Sequence, residues 1–179
     1  MKVLHLFNEI NFSGAELMYS DAAEYMQKQG VELYALSTGS KFGNFIENFK
    51  NRKIKIVHKP YTSSFVLSKS GIAFHIFLFR FLKKNKIDVL HIHRNTIYFA
   101  GVVAFFLKIR CVKTQHNVFQ NGSFTRPIAI IRRAIIRILF QTKFHTIGTS
   151  VYNNELNYYK NPSTKINNWY NSERFFKAD

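Results

Sequence analysis

The sequence predicts an α/β fold: a Rossmann-like parallel sheet with helices on both faces. Three observations predict it. Short β-branched or apolar runs alternate with longer helical patterns almost from end to end, which is the signature of right-handed crossovers building a covered parallel sheet. The chain has 179 residues, of which 46% are hydrophobic, enough for one buried core and too apolar for a disordered segment. No short repeat, low-complexity tract or internal linker interrupts the alternation.

Taken in order, the expected strands are residues 2–7, 31–37, 54–58, 88–92, 111–115 and 145–148. The expected helices are 14–29, 42–50, 65–84, 97–108, 126–141 and 150–159. The polar tail from Lys160, with Asn161, Pro162, Asn167 and Asn168, reads as a strand edge leading onward. Ligands of such sheets bind beyond the carboxyl ends of strands, where the winding direction reverses. The loop 8–14 after the first strand is therefore the first place to look for function, and His93-Arg94-Asn95 the second.

Lys and Arg number 26 against 10 Asp and Glu, a formal net charge of +16 that attracts phosphates, anionic lipid headgroups or nucleic acid. The single cysteine, Cys111, cannot form an internal disulfide, fits a reducing cytosol and excludes a cysteine zinc site. The opening apolar run ends at Asn8-Glu9, too short for a signal-peptide core. Neither apolar stretch, 72–82 or 98–107, reaches the roughly 20 residues of a spanning helix. The expected location is cytoplasmic, with a peripheral place on the inner face of the cell membrane as its extension. Charge alone suggests nucleic acid, and no recognition module accompanies it.

Several local patterns carry chemistry, each beside a plainer reading. Ser13-Gly14-Ala15-Glu16 opens the first helix as a capping box worth about 1 kcal/mol, or as a loop whose Gly14 admits a phosphate or sugar to the positive helix end. The full Gly-x-Gly-x-x-Gly pattern of a dinucleotide site is missing. His116, in Thr114-Gln115-His116-Asn117, closes a strand where it can contact a ligand or be satisfied by backbone. His91 and His93 alternate on one strand face, but no carboxylate or third histidine accompanies them, so no metal site is expected. On a wheel at about 100° per residue, Ile128, Ile131, Ile135, Ile138 and Leu139 gather opposite Arg126, Arg133 and Arg137. That pattern reads as a surface helix packed on the sheet by its isoleucines. Its three arginines are then either simply solvated or a membrane-binding face for anionic lipid.

Together these residues resemble the N-terminal domain of retaining GT-B glycosyltransferases of the group 1, or family-four, type. Lys2-Val3-Leu4-His5-Leu6 followed by Ser13-Gly14-Ala15-Glu16 is similar to that family's first strand and its Gly-Gly-x-Glu loop, with Ser13 in place of the first glycine. Asp88-Val89-Leu90-His91-Ile92-His93 resembles its Asp-x-hydrophobic-His-x-His strand, and Thr114-Gln115-His116-Asn117 its Thr-x-His-Asp/Asn element. Thr146-Ile147-Gly148-Thr149-Ser150 and the tail Lys165 to Phe175 are similar to later segments, with Trp169 where glycine is usual and Asn171 where aspartate is usual.

The resemblance implies that residues 1–179 form a single acceptor-side domain. The C-terminal domain that binds the nucleoside-diphosphate sugar is then absent from the chain, and this half is inactive alone. It also implies transfer of a sugar to a lipid-linked or polysaccharide acceptor in cell-surface glycan synthesis, with no metal or other cofactor. His116 would be the catalytic-site histidine; Ser13, Gly14, Glu16, His93 and Asn117 would border donor or acceptor. The alternative is a non-catalytic membrane- or partner-binding module on the same fold.

Overall fold

The computed structural model describes residues 1–61, 66–94 and 98–169. Seven strands form one parallel sheet in the order β3-β2-β1-β4-β5-β6-β7. They are β1 Lys2–Phe7, β2 Glu32–Ser37, β3 Lys55–His58, β4 Val89–Ile92, β5 Arg110–Gln115, β6 Lys143–Thr146 and β7 Thr164–Lys165. Helices α1 Gly14–Lys28 and α2 Ile46–Asn51 link the strands that wind one way from β1. Helices α3 Lys69–Asn85, α4 Phe99–Phe106, α5 Arg126–Ile138 and α6 Thr149–Asn153 link those that wind the other way. A π-helical turn, Asn154–Tyr158, follows α6. The winding reverses between the adjacent strands β1 and β4, so a crevice opens beyond their carboxyl ends.

Alternation along each strand separates two cores. Val3, Phe7, Leu33 and Ala35 pack with Tyr19 and Ala23 of α1 and Phe49 of α2. Leu4, Leu6, Leu36, Leu90 and Ile92 point the other way, onto Phe74, Leu78 and Leu82 of α3 and Ala100, Val103 and Ala104 of α4. Each of the fully buried leucines contributes about 1.5–3 kcal/mol of transfer free energy. On the α1 side the cover stops near β1. Beyond it a trough of about 430 Å³ runs along the sheet, lined by His5, His91, Val112, His145 and Trp169.

Most expected elements fall within a few residues of their observed bounds, and β1 coincides. The expected strand 145–148 instead begins at Lys143, because α5 stops at Ile138 rather than running to Gln141. The tail contributes the two-residue strand β7 beside β6. Phe65, Asn95, Ile97 and the tail residues from Tyr170, on which parts of the sequence reading fell, lie outside the described residues.

Two local expectations are corrected. Ser13 is the N-cap of α1, yet its side chain makes no capping hydrogen bond. Its hydroxyl donates to the Glu16 carboxylate instead, so the capping box is not formed.

The second correction concerns α5, which faces opposite to expectation. Ile128, Ile131, Ile135, Ile138 and Leu139 are exposed, whereas Ala129, Arg133 and Ile136 are buried. The cause is a buried ion pair. Arg133 Nε and Nη2 donate to Glu155 at 3.0 and 3.2 Å, and the guanidinium stacks 3.5 Å from the centre of the Tyr159 ring. Glu155 also accepts from Asn161 Nδ2 at 2.8 Å. Arg126 turns the same way, donating to the Tyr158 carbonyl at 3.1 Å. Arg133 is therefore a structural residue withdrawn from any membrane, and the three arginines do not form a free basic face.

Candidate functional site at the carboxyl edge

A parallel sheet brings the loops after β1, β2, β4 and β5 to one edge. The loop after β1 is fastened to the loop after β2. Ile10 N–H donates to Phe42 O at 3.1 Å, and Phe45 N–H to Ile10 O at 2.9 Å. Phe12 N–H donates to the Asn44 side chain at 3.0 Å, and Asn44 N–H to that of Asn11 at 3.1 Å. Gly43 makes this close approach possible: its φ is +111°, and a Cβ there would lie 2.2 Å from Ile10 O. The loop that presents Ser13 and Gly14 is thus rigidly backed. Gly14 itself has an ordinary φ and open space around a notional Cβ, so the fold does not demand glycine there. Its side is open to an approaching molecule. Ser13 and Gly14 are exposed, while Glu16 is buried, and burial pushes its carboxyl pKa upward against the opposing Ser13 hydrogen bond.

Across the crevice stand histidines on three strands, β1, β4 and β6, and just beyond the ends of β4 and β5. His5 on β1 lies directly opposite His91 on β4 in the ladder register. His5 Nδ1 is 3.1 Å from His93 Nε2, and His93 Nδ1 is 3.0 Å from His116 Nε2. Burial drives His5 down to about 3 and His116 to about 4. His93 falls well below its ordinary value, by burial first and then by the histidines and Lys113 around it, which oppose a positive charge there. All three rings are therefore neutral at pH 7, each with one N–H. Their two hydrogen bonds must run in one direction, from His5 to His116 or the reverse. In the second direction His116 Nδ1 carries a bare lone pair able to accept a hydroxyl proton.

A second chain has its direction fixed. His145 Nε2 lies 3.1 Å from the Ile166 carbonyl, which can only accept, so that nitrogen carries the proton. Its Nδ1 then accepts from the Thr114 hydroxyl at 2.9 Å, and Thr114 Oγ1 accepts from His91 Nε2 at 2.7 Å. Five of the chain's seven histidines thus line one face in two hydrogen-bonded strings.

The sequence reading paired His91 with His93 but missed the third histidine. His5 supplies it from the neighbouring strand. Side-chain nitrogens of His5, His91 and His93 lie within 4.8 Å of one another, and among the described residues they are the one group placed to hold a metal ion. The group contains no carboxylate, and an ion there would have to break the His5–His93 hydrogen bond.

His116 is half-buried and Asn117 exposed at the mouth of the crevice, so the structure gathers His93, His116 and Asn117 at the edge that also carries Ser13 and Gly14. Two cations stand beside them: Arg94, in the loop the sequence marked second for function, and Lys113, which the sequence reading passed over. Arg94 Nη1 donates to Thr38 O and Oγ1, both at 2.9 Å, tying the loop after β4 to that after β2. Lys113 is fully buried on β5, donates to Arg94 O at 2.8 Å and lies 4.7 Å from the centre of the Tyr98 ring. Burial and then the Arg133 charge pull its ammonium down to about 7. The only hint in the sequence is spacing: Lys113 stands two residues from Cys111 and so shares its face of the strand.

Known structures share this architecture. A glycosyltransferase from Rickettsia africae ESF-5 superposes with a TM-score of 0.70 at 15% identity, over 92% of this chain and 41% of that one. HepE of Anabaena, solved with UDP and glucose, gives 0.67 at 15% identity over 97% and 46%. MurG of Acinetobacter baumannii gives 0.60 at 14% identity over 96% and 46%. The chain therefore spans less than half the length of these structural neighbours. Among curated proteins none matches the sequence. The family pattern of Glycosyltransferase Family 4 matches residues 12–172, nearly the whole chain and both sides of the crevice. The chain belongs to that glycosyltransferase family, with the fold of the N-terminal domain of a GT-B enzyme.

Proposed function

We propose that this domain forms the acceptor side of a sugar-nucleotide-dependent transferase that retains anomeric configuration and builds a cell-surface glycan on a lipid-linked or polysaccharide acceptor. A second domain holds the nucleotide sugar across the crevice, so residues 1–179 by themselves do not turn over. In the transfer, the bond from the anomeric carbon to the diphosphate breaks, a bond to the acceptor oxygen forms on the same face, and the hydroxyl proton leaves with the diphosphate. Gly14 leaves room for the diphosphate at the N-terminus of α1, whose amides favour its negative charge without a metal or other cofactor. Ser13 and Glu16 support that loop. His116, with Asn117 beside it, hydrogen-bonds the transferred sugar or acceptor, and His93 holds the His116 ring in place. The enzyme works in the cytoplasm at the inner face of the membrane, where a lipid-linked acceptor would reside.

One observation carries the reading. The open Gly14 loop and the half-buried His116, at the end of a string of neutral imidazoles, share one edge beside the point where winding reverses. HepE, bound to UDP and glucose on the same fold, supports it by analogy. In the full-length enzyme, His116→Ala should lower kcat by about 10²-fold or more, with the fold retained by circular dichroism. Unaltered kinetics would remove His116 from the site.

A further inference from the structure

The outward turn of α5 leaves an apolar stripe without a partner among the described residues. Ile128, Ile131, Ile138 and Leu139 are 65%, 58%, 61% and 61% exposed, and Ile135 is 41% exposed. Their spacing keeps them within one side of the helix for its whole length. The stripe is extended at both ends: Phe124, 97% exposed, precedes it near the carboxyl edge, and Phe106, 71% exposed, stands at the end of the neighbouring α4. The polar side of the helix is held inward by the Arg133–Glu155 pair, so the isoleucines cannot turn into the core without stranding that charge.

Cations flank the stripe. Arg132 is exposed beside it. At its C-terminal foot a trough of about 920 Å³ is lined by Lys108, Arg110, Arg137 and Lys143, with phenylalanines between them and no acidic residue. Arg137 Nε is shielded from solvent there and meets no acceptor among the described residues. A second copy of this chain would bring like charges together, in a molecule of net charge +16. An anionic bilayer supplies both missing partners: hydrocarbon for the isoleucines and phosphate oxygens for the cations.

We propose that α5 lies in the plane of an anionic lipid bilayer, its isoleucine stripe inserted among the acyl chains and the trough at its foot holding lipid phosphates. This rests on the reading of the domain as a membrane-surface transferase and identifies the docking surface. Phe124 and the loop after β5 would then lie at the bilayer, next to His116, so a lipid-linked acceptor reaches the crevice along the membrane plane.

The test is co-sedimentation of the 179-residue chain with vesicles of phosphatidylglycerol and phosphatidylcholine, against phosphatidylcholine alone, as salt rises. Binding should require phosphatidylglycerol. The neutral double substitution Ile131→Ser/Ile135→Ser should weaken partitioning at least about tenfold at fixed salt, with circular dichroism and melting unchanged. Lys108→Gln/Lys143→Gln should flatten the salt dependence while leaving insertion in place. Absence of binding at low salt would overturn the proposal. So would a serine variant that binds as well as wild type, which would make the attachment purely electrostatic. A wild-type dimer broken by the serine variant would identify a second copy as the occupant and equally end the bilayer reading. Transfer by the full-length enzyme to a water-soluble acceptor reports on the catalytic reading separately, because it needs no membrane.

Discussion

Helices α3 and α5 carry the same kind of sequence, apolar residues at helical spacing mixed with Lys and Arg, and the fold uses them in opposite senses. Helix α3 turns Phe74, Leu78 and Leu82 onto the sheet and leaves Lys83 and Lys84 near its C-terminal end, where cations suit the helix dipole. Helix α5 turns Arg133 inward and its isoleucines outward. Amphipathic periodicity defines an axis across a helix but not which end of that axis meets the core. Among the described residues, the inward side of α3 packs in a cluster with Leu4, Leu6, Leu36 and Leu90, and hydrophobic transfer decides. Under α5 wait Glu155, itself fixed by Asn161, and the Tyr159 ring, which hold the Arg133 guanidinium well enough to outweigh the exposure of five aliphatic side chains.

The most direct way to break this contrast is Glu155→Leu. It leaves the Arg133 charge buried without a carboxylate and should cost about 3–5 kcal/mol, read as a lowered urea midpoint. That is as large as the roughly 2–5 kcal/mol expected for Leu78→Ala in α3, although one site is ionic and the other apolar. A Glu155→Leu loss below about 1 kcal/mol would mean that the pair does not set the orientation of α5.

The same contrast shows what was legible in the sequence. Strand positions were readable because parallel strands covered on both faces are short apolar runs, as in Lys2–Phe7. The two-residue β7 is too short to show any period. The Gly14 loop and His116 could be placed at one edge as soon as the strands were taken as parallel. His5 could not be joined to His91, because β1 and β4 become neighbours only through a crossover spanning more than eighty residues. The side chosen by α5 was hidden for the same reason: Glu155 lies 22 positions beyond Arg133, on an element whose placement no local pattern reveals.

Burial of polar groups differs again on the α1 face, and pH sharpens that difference. Under α5 the buried Arg133 is matched by a carboxylate. His5 and His116 are instead held neutral, at about 3 and about 4, against the ordinary 6.5 of the unfolded chain. Between those limits the unfolded chain binds protons that the fold refuses. Stability is therefore full above pH 6.5 and is lost as pH falls toward 4, at up to about 1.4 kcal/mol per pH unit for each histidine. Urea midpoints measured from pH 7 to pH 5 should fall steadily, and the slope should be shallower in His5→Phe. An equal slope in the variant would show that His5 is not held neutral by its burial.

The smallest expected effect is the most discriminating between the two helices. Ile131→Ala removes a large aliphatic side chain from α5, and anywhere in the α3 core such a change would cost several kcal/mol. Ile131 is 58% exposed, so little apolar surface returns to water on its removal. Alanine is also the better helix former by a few tenths of a kcal/mol. The urea midpoint of the isolated chain should therefore stay within about 0.5 kcal/mol of wild type, in either direction. A loss above about 1.5 kcal/mol would place Ile131 against the body of the domain. The isoleucine stripe would then belong to the core, and α5 would face the way its periodicity alone suggests.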